Sequence, residues 1–182
     1  MENSTKVVTG KVRFCYVNVF EPTAMNEGDT PKYNICILIP KDDAKTLDKI
    51  NKAIEAAKQA GKAKLADKNG KIPSNLKLPL RDGDDERGDD PAFEGMYFIN
   101  ANSNRKPSIV DKDLNPIMEK EEFYSGCYGR ASINFYAFNV SSKGIACGLN
   151  NLQKLEDGEM LAGGSTAEED FGGENEWNDE LM

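Results

Sequence analysis

The sequence predicts a mainly β domain, either a small barrel or a sandwich, that carries one inserted α-helix and ends in a disordered acidic tail. Three observations support this fold class: several short segments rich in β-branched and aromatic residues, one segment with helical periodicity, and a C-terminal segment whose charges are all acidic. Several short strands combined with one helix are typical of small barrels and sandwiches.

Five segments have the composition of β-strands, because β-branched and aromatic residues dominate them and turn residues bound them. They are residues 7–20, 33–39, 96–101, 124–140 and 145–155. In the first of these segments, strict alternation would place Val12, Phe14 and Tyr16 on one face of the strand. The polar segment 62–95 is predicted to be a long exposed connection.

One helix is predicted over 43–60, between the second and third strands. Its apolar residues recur at helical spacing: Leu47, Ile50, Ile54 and Ala57. Asp42 or Asp43 supplies an N-cap, and Gly61 marks the end of the helix. The lysine-rich outer face of this helix is expected to be solvated.

Charge is distributed unevenly along the chain, which has 31 acidic and 23 basic residues. Ten of the acidic residues and none of the basic residues follow Leu155, so residues 1–155 carry a net charge of about +2. This asymmetry predicts two parts: a mildly basic domain over 1–155 and a disordered, glycine-containing acidic tail over 156–182.

Several classes of function are disfavoured by composition. The chain contains no histidine, which removes Ser-His-Asp triads, Cys-His dyads and histidine-ligated zinc. Its four cysteines lack C-x-x-C spacing and are expected to be buried free thiols: Cys15, Cys36, Cys127 and Cys147. No signal peptide and no membrane-spanning run is recognisable. We therefore expect a cytoplasmic, non-enzymatic protein that needs no cofactor and binds no membrane.

Two acidic segments, 81–90 and 111–122, have part of the alternation of a calcium-binding loop. In both, another residue replaces the glycine that such a loop needs for its sharp turn: Arg87 in the first and Pro116 in the second. Solvated loops are the favoured interpretation, and no metal is expected. A metal-dependent nuclease would need convergent carboxylates and is the weakest hypothesis.

Aromatic and basic residues alternate along the predicted strands, and this combination is typical of proteins that bind single-stranded nucleic acid. Aromatic rings stack on bases while cations neutralise phosphates, and neither contact requires a base sequence. An aromatic residue on a strand is nevertheless more often part of a core. The candidate nucleic-acid-binding residues are Lys11, Arg13, Tyr16, Tyr97, Arg105, Lys106, Tyr128, Arg130, Tyr136 and Lys143.

The acidic tail resembles a polyanion. If the domain has a basic, aromatic-lined groove, the tail can occupy it weakly and leave when DNA arrives, and the released tail can then recruit partner proteins. The residues proposed to make these contacts are Asp170, Phe171, Glu176, Trp177, Asp179 and Glu180. A tail that only increases solubility is the alternative.

Several stretches resemble one family of single-stranded-DNA-binding proteins of tailed phages, formerly catalogued as a domain of unknown function. They are "PLRDGD", "FINANSNRKPSIVD", "YSGCYGRASINFYAF", "KGIACGLNNLQKLEDGE" and the closing acidic residues. The resemblance implies a five-stranded OB-like β-barrel with an inserted helix. It also implies sequence-independent binding of single-stranded DNA in phage replication, recombination or repair, with a tail that contacts replication or recombination enzymes.

Single-stranded DNA is therefore the expected ligand, in the host-cell cytoplasm if the protein belongs to a phage. The rival from another class is an acidic-tailed adaptor protein whose domain binds no nucleic acid. The sequence leaves homo-oligomer formation open.

Overall fold

A computed structural model describes residues 4–24, 28, 30–140 and 142–161. The tail residues proposed above to contact DNA or partners all lie outside these ranges. The strands are β1 (Lys6–Val8), β2 (Val12–Thr23), β3 (Lys32–Pro40), β4 (Arg81–Asp82), β5 (Met96–Ser103), β6 (Ser108–Val110), β7 (Tyr128–Phe138) and β8 (Gly144–Glu156). The helices are α1 (Ala44–Ala60), α2 (Lys62–Leu65), α3 (Gly83–Glu86) and a 3-10 helix (Pro91–Phe93).

Five strands close into a ring in the order β7, β2, β3, β5 and β8, with β8 pairing back to β7. All these pairings are antiparallel except that of β5 with β8, which is parallel. The short strands β1, β4 and β6 extend the ring at its edges. The predicted mainly β fold, built on five strands with an inserted helix, is confirmed.

The ring encloses the main hydrophobic core, to which each strand contributes alternate residues. Its largest fully buried side chains include Phe14, Ile35, Ile99 and Phe135. Their burial removes most of the apolar surface of the strands from water, which is the dominant stabilising contribution to such a fold.

Helix α1 follows the predicted periodicity, and its apolar face packs into the core. Ile50, Ile54 and Ala57 are buried there. The Asp43 carboxylate caps the helix by accepting a hydrogen bond of 3.1 Å from the backbone N–H of Thr46. Gly61 ends the helix, where a side chain would collide with Ala137 on β7.

Strand β2 departs from strict alternation after Phe14. The pairing register with β3 shifts between Cys15 and Asn18, and Tyr16 takes a left-handed backbone conformation with φ of 47°. Tyr16 is therefore 45 % exposed, whereas Val12 and Phe14 are buried. The expectation that Tyr16 shares their face is wrong, because a β-bulge turns its side chain outward.

The connection 62–95 is more structured than the predicted exposed loop. Besides the short helices it contains Phe93, which is fully buried against Phe98, with ring centroids 5.2 Å apart. These two residues belong to a second apolar cluster, separate from the main core, with Cys15, Cys36 and Leu38. The composition of this connection did not predict that it packs on the domain, because its apolar residues are few and widely spaced.

Residues 157–161 follow β8 and lie across the loop that precedes β7; we call this segment the strap. The Tyr124 hydroxyl donates to Asp157 Oδ1 at 3.0 Å and accepts from the backbone N–H of Gly158 at 3.1 Å. The backbone N–H of Leu161 donates to the Ser125 carbonyl at 2.9 Å. The first residues assigned to the tail thus lie against the domain, and the boundary at 155 stays a prediction.

In the part of the chain that the structure describes, no helix is both long and apolar enough to cross a membrane.

Candidate nucleic-acid interface

A groove of about 900 Å³ runs over the outer face of β2, β3 and β5. Most of the described residues that line it are of polar type, and they include one aromatic ring and two cationic side chains. The polar, charged and aromatic residues that line it are Tyr16, Asn18, Thr23, Thr30, Lys32, Asn34, Arg87, Asn100 and Asn102.

Asparagine side chains form a row across the groove. Asn18 on β2 pairs with Asn34 on β3, and Asn34 pairs with Asn102 on β5, so the three residues stand side by side on neighbouring strands. Asn18 Nδ2 donates to Asn34 Oδ1 at 3.0 Å, and Asn34 Nδ2 donates to the Thr23 hydroxyl at 2.9 Å. Each amide has both donors and acceptors, so the row presents hydrogen-bonding groups of both kinds to a ligand.

Tyr16 and Arg87 form one wall of the groove. The Arg87 guanidinium donates to the Tyr16 hydroxyl at 2.6 Å and lies 5.4 Å from the Tyr16 ring centroid. It also lies 4.6 Å from the ring of Phe93. Burial acts to lower the pKa of Arg87, but the contacts with Tyr16, together with the nearby Asp90 and Cys36, outweigh burial and leave the pKa raised. The wall therefore combines a permanent positive charge with an exposed ring.

Lys11, Arg13 and Tyr128 form a different cluster, where β2 pairs with β7. Lys11 Nζ and the Arg13 guanidinium lie 5.3 Å and 5.2 Å from the Tyr128 ring centroid. Arg13 also donates to the carbonyls of Gly126 at 3.0 Å and Glu159 at 2.9 Å, while Lys11 pairs with Glu156. These contacts link the start of β2 to the end of β8 and to the strap.

The remaining basic candidates lie elsewhere on the surface. Arg130 donates to the Thr9 carbonyl at 2.9 Å, and Lys143 donates to the carbonyl of Ala66 at 3.2 Å. Lys106 lies 5.6 Å from the ring centroid of Phe20, and Arg105 belongs to the turn between β5 and β6.

Two further tyrosines were candidates. Tyr97 lies beside Lys41, whose Nζ is 5.3 Å from the ring centroid. Tyr136 is 41 % exposed on β7, opposite Ala146 on β8, and partial burial raises its pKa. Of the ten candidates, only Tyr16 lines the groove. The binding role of all ten stays a prediction.

Sequence reasoning missed Arg87, Lys32 and the asparagine row. Arg87 follows α3 in the connection 62–95, and only folding brings it next to Tyr16. The asparagines did leave a signal, because "INANS" places Asn100 and Asn102 two residues apart on one face of a strand otherwise rich in apolar residues. Polar residues at alternate positions of a strand facing solvent are ordinary, so this pattern alone did not indicate a site.

Carboxylates in both acidic segments make contacts with other groups of the protein. Lys41 Nζ lies 2.7 Å from Asp82 and 2.8 Å from Asp84, and these contacts lower the pKa of both carboxyl groups and raise that of Lys41. The Asp111 carboxylate accepts backbone N–H bonds from Asp113 and Asn115, both at 2.9 Å. Among the residues described, no three or more potential metal ligands converge.

Comparison with known proteins places the chain in a family. The model of the family described as "Enterobacter phage Enc34, ssDNA-binding protein" matches residues 5–182. The chain belongs to this family. It is a family of DNA-binding proteins, as the resemblance implied, and not one of enzymes.

Individual relatives agree with this assignment. Protein p50 of Acyrthosiphon pisum secondary endosymbiont phage 1 is 28 % identical over 166 residues, which cover 89 % of each chain. The single-stranded DNA-binding protein of bacteriophage Enc34, solved in complex with ssDNA, is 26 % identical, with a TM-score of 0.73. That match covers 89 % of this chain and 95 % of the other.

A more distant structure shares the fold. The single-stranded DNA binding protein gp2.5 encoded by bacteriophage T7 superimposes with a TM-score of 0.62 at 16 % identity. The match covers 96 % of this chain and 100 % of the other.

Proposed function

We propose that this protein binds single-stranded DNA without sequence preference, in the groove over β2, β3 and β5. The observation that carries the proposal is the convergence of a ring, two cations and a row of amides on one concave face of a protein from this family. Proteins that bind single strands without sequence preference combine stacking surfaces with positive charge.

Each part of the groove has a role in this proposal. The Tyr16 ring stacks on a base, and Arg87 and Lys32 neutralise phosphates. The asparagine row, centred on Asn34, hydrogen-bonds to the edges of unpaired bases. An amide offers both donors and acceptors, so any of the four bases can be accommodated.

The biological role that follows is to coat and protect single strands during phage DNA replication, recombination or repair, in the cytoplasm of the host cell. Sequence-independent contacts suit this role, because every exposed strand must be covered whatever its bases.

The acidic tail is proposed to compete for the groove and to recruit replication or recombination enzymes. The position of the strap supports this part of the proposal. Glu159, Met160 and Leu161 line a depression of about 340 Å³ that Tyr16 also lines. Leu161, the last described residue, therefore lies beside the groove, and the tail carboxylates that follow it in the sequence are proposed to take the place of phosphates there.

The proposal is tested by fluorescence anisotropy of a labelled oligothymidine with wild-type protein and Arg87→Ala, at about 50 mM and about 200 mM salt. Wild-type affinity should fall steeply with salt. Arg87→Ala should bind more weakly and with a shallower salt dependence, because one phosphate contact is lost.

Arg105→Ala is the matched control, since Arg105 lies in a turn outside the groove. Absence of binding by the wild type at low salt would favour the adaptor hypothesis instead. Equal losses in both variants would point to general electrostatic attraction and against this groove.

A further inference from the structure

Two of the four cysteines face each other across neighbouring strands. Cys15 on β2 is directly opposite Cys36 on antiparallel β3, and both are free thiols. Both belong to the apolar cluster on the outside of the ring, where they are 2 % and 3 % exposed. The other two cysteines lie in the main core, and Cys147 is opposite Phe135.

This position suits a disulfide. Directly opposite residues of antiparallel strands have Cα atoms about 4.5 or 5.5 Å apart, depending on the hydrogen-bonding pattern. Disulfides bridge Cα atoms that are about 4.4–6.8 Å apart, so the Cα separation of either pattern lies within the range of a disulfide. The neighbouring Cys15, together with burial, raises the pKa of Cys36, so the thiolate that attacks peroxide forms more readily at alkaline pH and oxidation should be faster there.

The two cysteines also lie next to the proposed DNA site. Cys36 lines the groove, whereas Cys15 lines the neighbouring depression that is bounded by Phe93 and Leu161. Tyr16 directly follows Cys15 at the bulge of β2. A bond between the two sulfur atoms would fix β2 to β3 at the position where the Tyr16 ring turns outward.

We propose that Cys15 and Cys36 form a redox-active dithiol that a small peroxide oxidises to an intramolecular disulfide. One sulfur attacks the O–O bond of hydrogen peroxide, which gives a sulfenic acid and releases water. The second sulfur attacks the first, forms the S–S bond and releases another water. Both thiols lose their hydrogens, the two sulfur atoms are oxidised, and the peroxide oxygens are reduced.

Among the described residues, Cys36 lines the groove and Cys15 lines the depression under the strap, so peroxide is proposed to reach the pair through these openings. DNA bound in the groove covers the Cys36 side and should slow oxidation. This second part rests on the proposed function, whereas disulfide formation in the free protein does not.

The test treats the folded full-length protein with hydrogen peroxide, alkylates the remaining thiols after unfolding, and maps unreduced peptides by mass spectrometry. The expected product is a linked Cys15–Cys36 peptide, with Cys127 and Cys147 recovered in alkylated form. Cys36→Ser should abolish the linked peptide, and Cys147→Ser, a change at an equally buried thiol, should leave it intact.

The proposal is overturned if wild-type protein that remains folded by circular dichroism yields Cys15 and Cys36 only as free thiols or in other pairings. The wild-type peptide map decides this even if a serine variant fails to fold.

A parallel reaction with saturating oligothymidine, whose binding is verified by anisotropy, should form the disulfide severalfold more slowly. An unchanged rate with DNA bound would overturn access through the groove. Failure to bind DNA would appear in the anisotropy and would leave the disulfide result standing.

Discussion

At the scale of single residues, Tyr16 is exposed because the bulge in β2 holds its backbone in the left-handed region. That conformation costs about 1–3 kcal/mol in a residue other than glycine, and it persists only where the surroundings impose it. Here the hydrogen bond from Arg87 holds the ring at the edge of the groove. Strain retained at an exposed ring is consistent with a binding role.

Tyr16→Ala should weaken binding of oligothymidine about 5- to 150-fold, because loss of one stacked base costs about 1–3 kcal/mol. Anisotropy titration measures this effect. Tyr136→Ala is the matched control: it removes a similarly exposed tyrosine that does not line the groove, and its affinity should stay close to that of the wild type. A larger loss of affinity in Tyr136→Ala than in Tyr16→Ala would indicate that DNA binds at β7 instead of the groove.

Asn34 is at the centre of the asparagine row. Asn34→Asp keeps the shape of the side chain but places a carboxylate where phosphates and base edges are proposed to lie. Affinity for DNA should fall at least about tenfold, and most at low salt, because charge repulsion is screened by ions. Asn151→Asp, the same change on the exposed outer side of β8, should have little effect. Equal affinity of Asn34→Asp and wild type would exclude the row from the interface.

At the scale of elements, the strap depends on close approach to Gly126. This residue has φ of 119°, and a side chain there would meet the Glu159 carbonyl. Gly126→Ala should therefore destabilise the protein by about 1–3 kcal/mol and displace the strap. Hydrogen exchange at the Leu161 amide, which donates to Ser125, should accelerate.

Gly70→Ala separates backbone strain from collision with the strap. Gly70 also has a positive φ, of 77°, but has open space where a side chain would lie. This variant should lose stability while the Leu161 amide keeps its protection. Accelerated exchange in both variants would contradict the account of the strap.

Lys41 links the end of β3 to the acidic segment through Asp82 and Asp84. It lowers the pKa of the two carboxyl groups below the ordinary 3.8, so their stabilising contribution is present above that value and is lost as pH falls through the lowered pKa. The pKa of Lys41 is raised above 10.5, so its contribution is present below 10.5 and is lost as pH rises through the raised pKa.

The melting temperature of the wild type should therefore exceed that of Lys41→Met between about pH 5 and pH 9. The difference should shrink below pH 3.8 and above pH 10.5. Lys52→Met removes an exposed α1 lysine that pairs with Asp48 and should show no such profile. A pH-independent difference for Lys41→Met would mean that packing, and not charge, is lost.

The elements differ in how far the sequence predicts them. Helix α1 is predicted almost to the residue, because Asp43, Gly61 and the apolar spacing are local signals. The bulge at Tyr16 and the burial of Phe93 were not predicted, since both depend on pairing and packing between distant segments. The groove was missed for the same reason: Arg87 reaches Tyr16 only through the fold.

At the scale of the whole molecule, the charge asymmetry predicts competition between the tail and DNA. A chain ending at Leu161, which keeps the strap, should bind oligothymidine more tightly than the full chain, with the largest gain at low salt. In the full chain, emission of the sole tryptophan, Trp177, should change as DNA displaces the tail. Equal affinities of the two chains at every salt concentration would contradict competition by the tail. Partner recruitment would then be the remaining role proposed for it.

Single-stranded DNA is proposed to lie in the groove over β2, β3 and β5. Ultraviolet cross-linking of the full-length protein to an oligothymidine, followed by peptide mapping, locates the bound strand on the protein. Cross-links are expected to the peptide that contains Tyr16 and to segments of β3 and β5 that carry the asparagine row. Cross-links confined to the peptide of Tyr128 and Tyr136, with the Tyr16 peptide unmodified, would contradict binding in the groove.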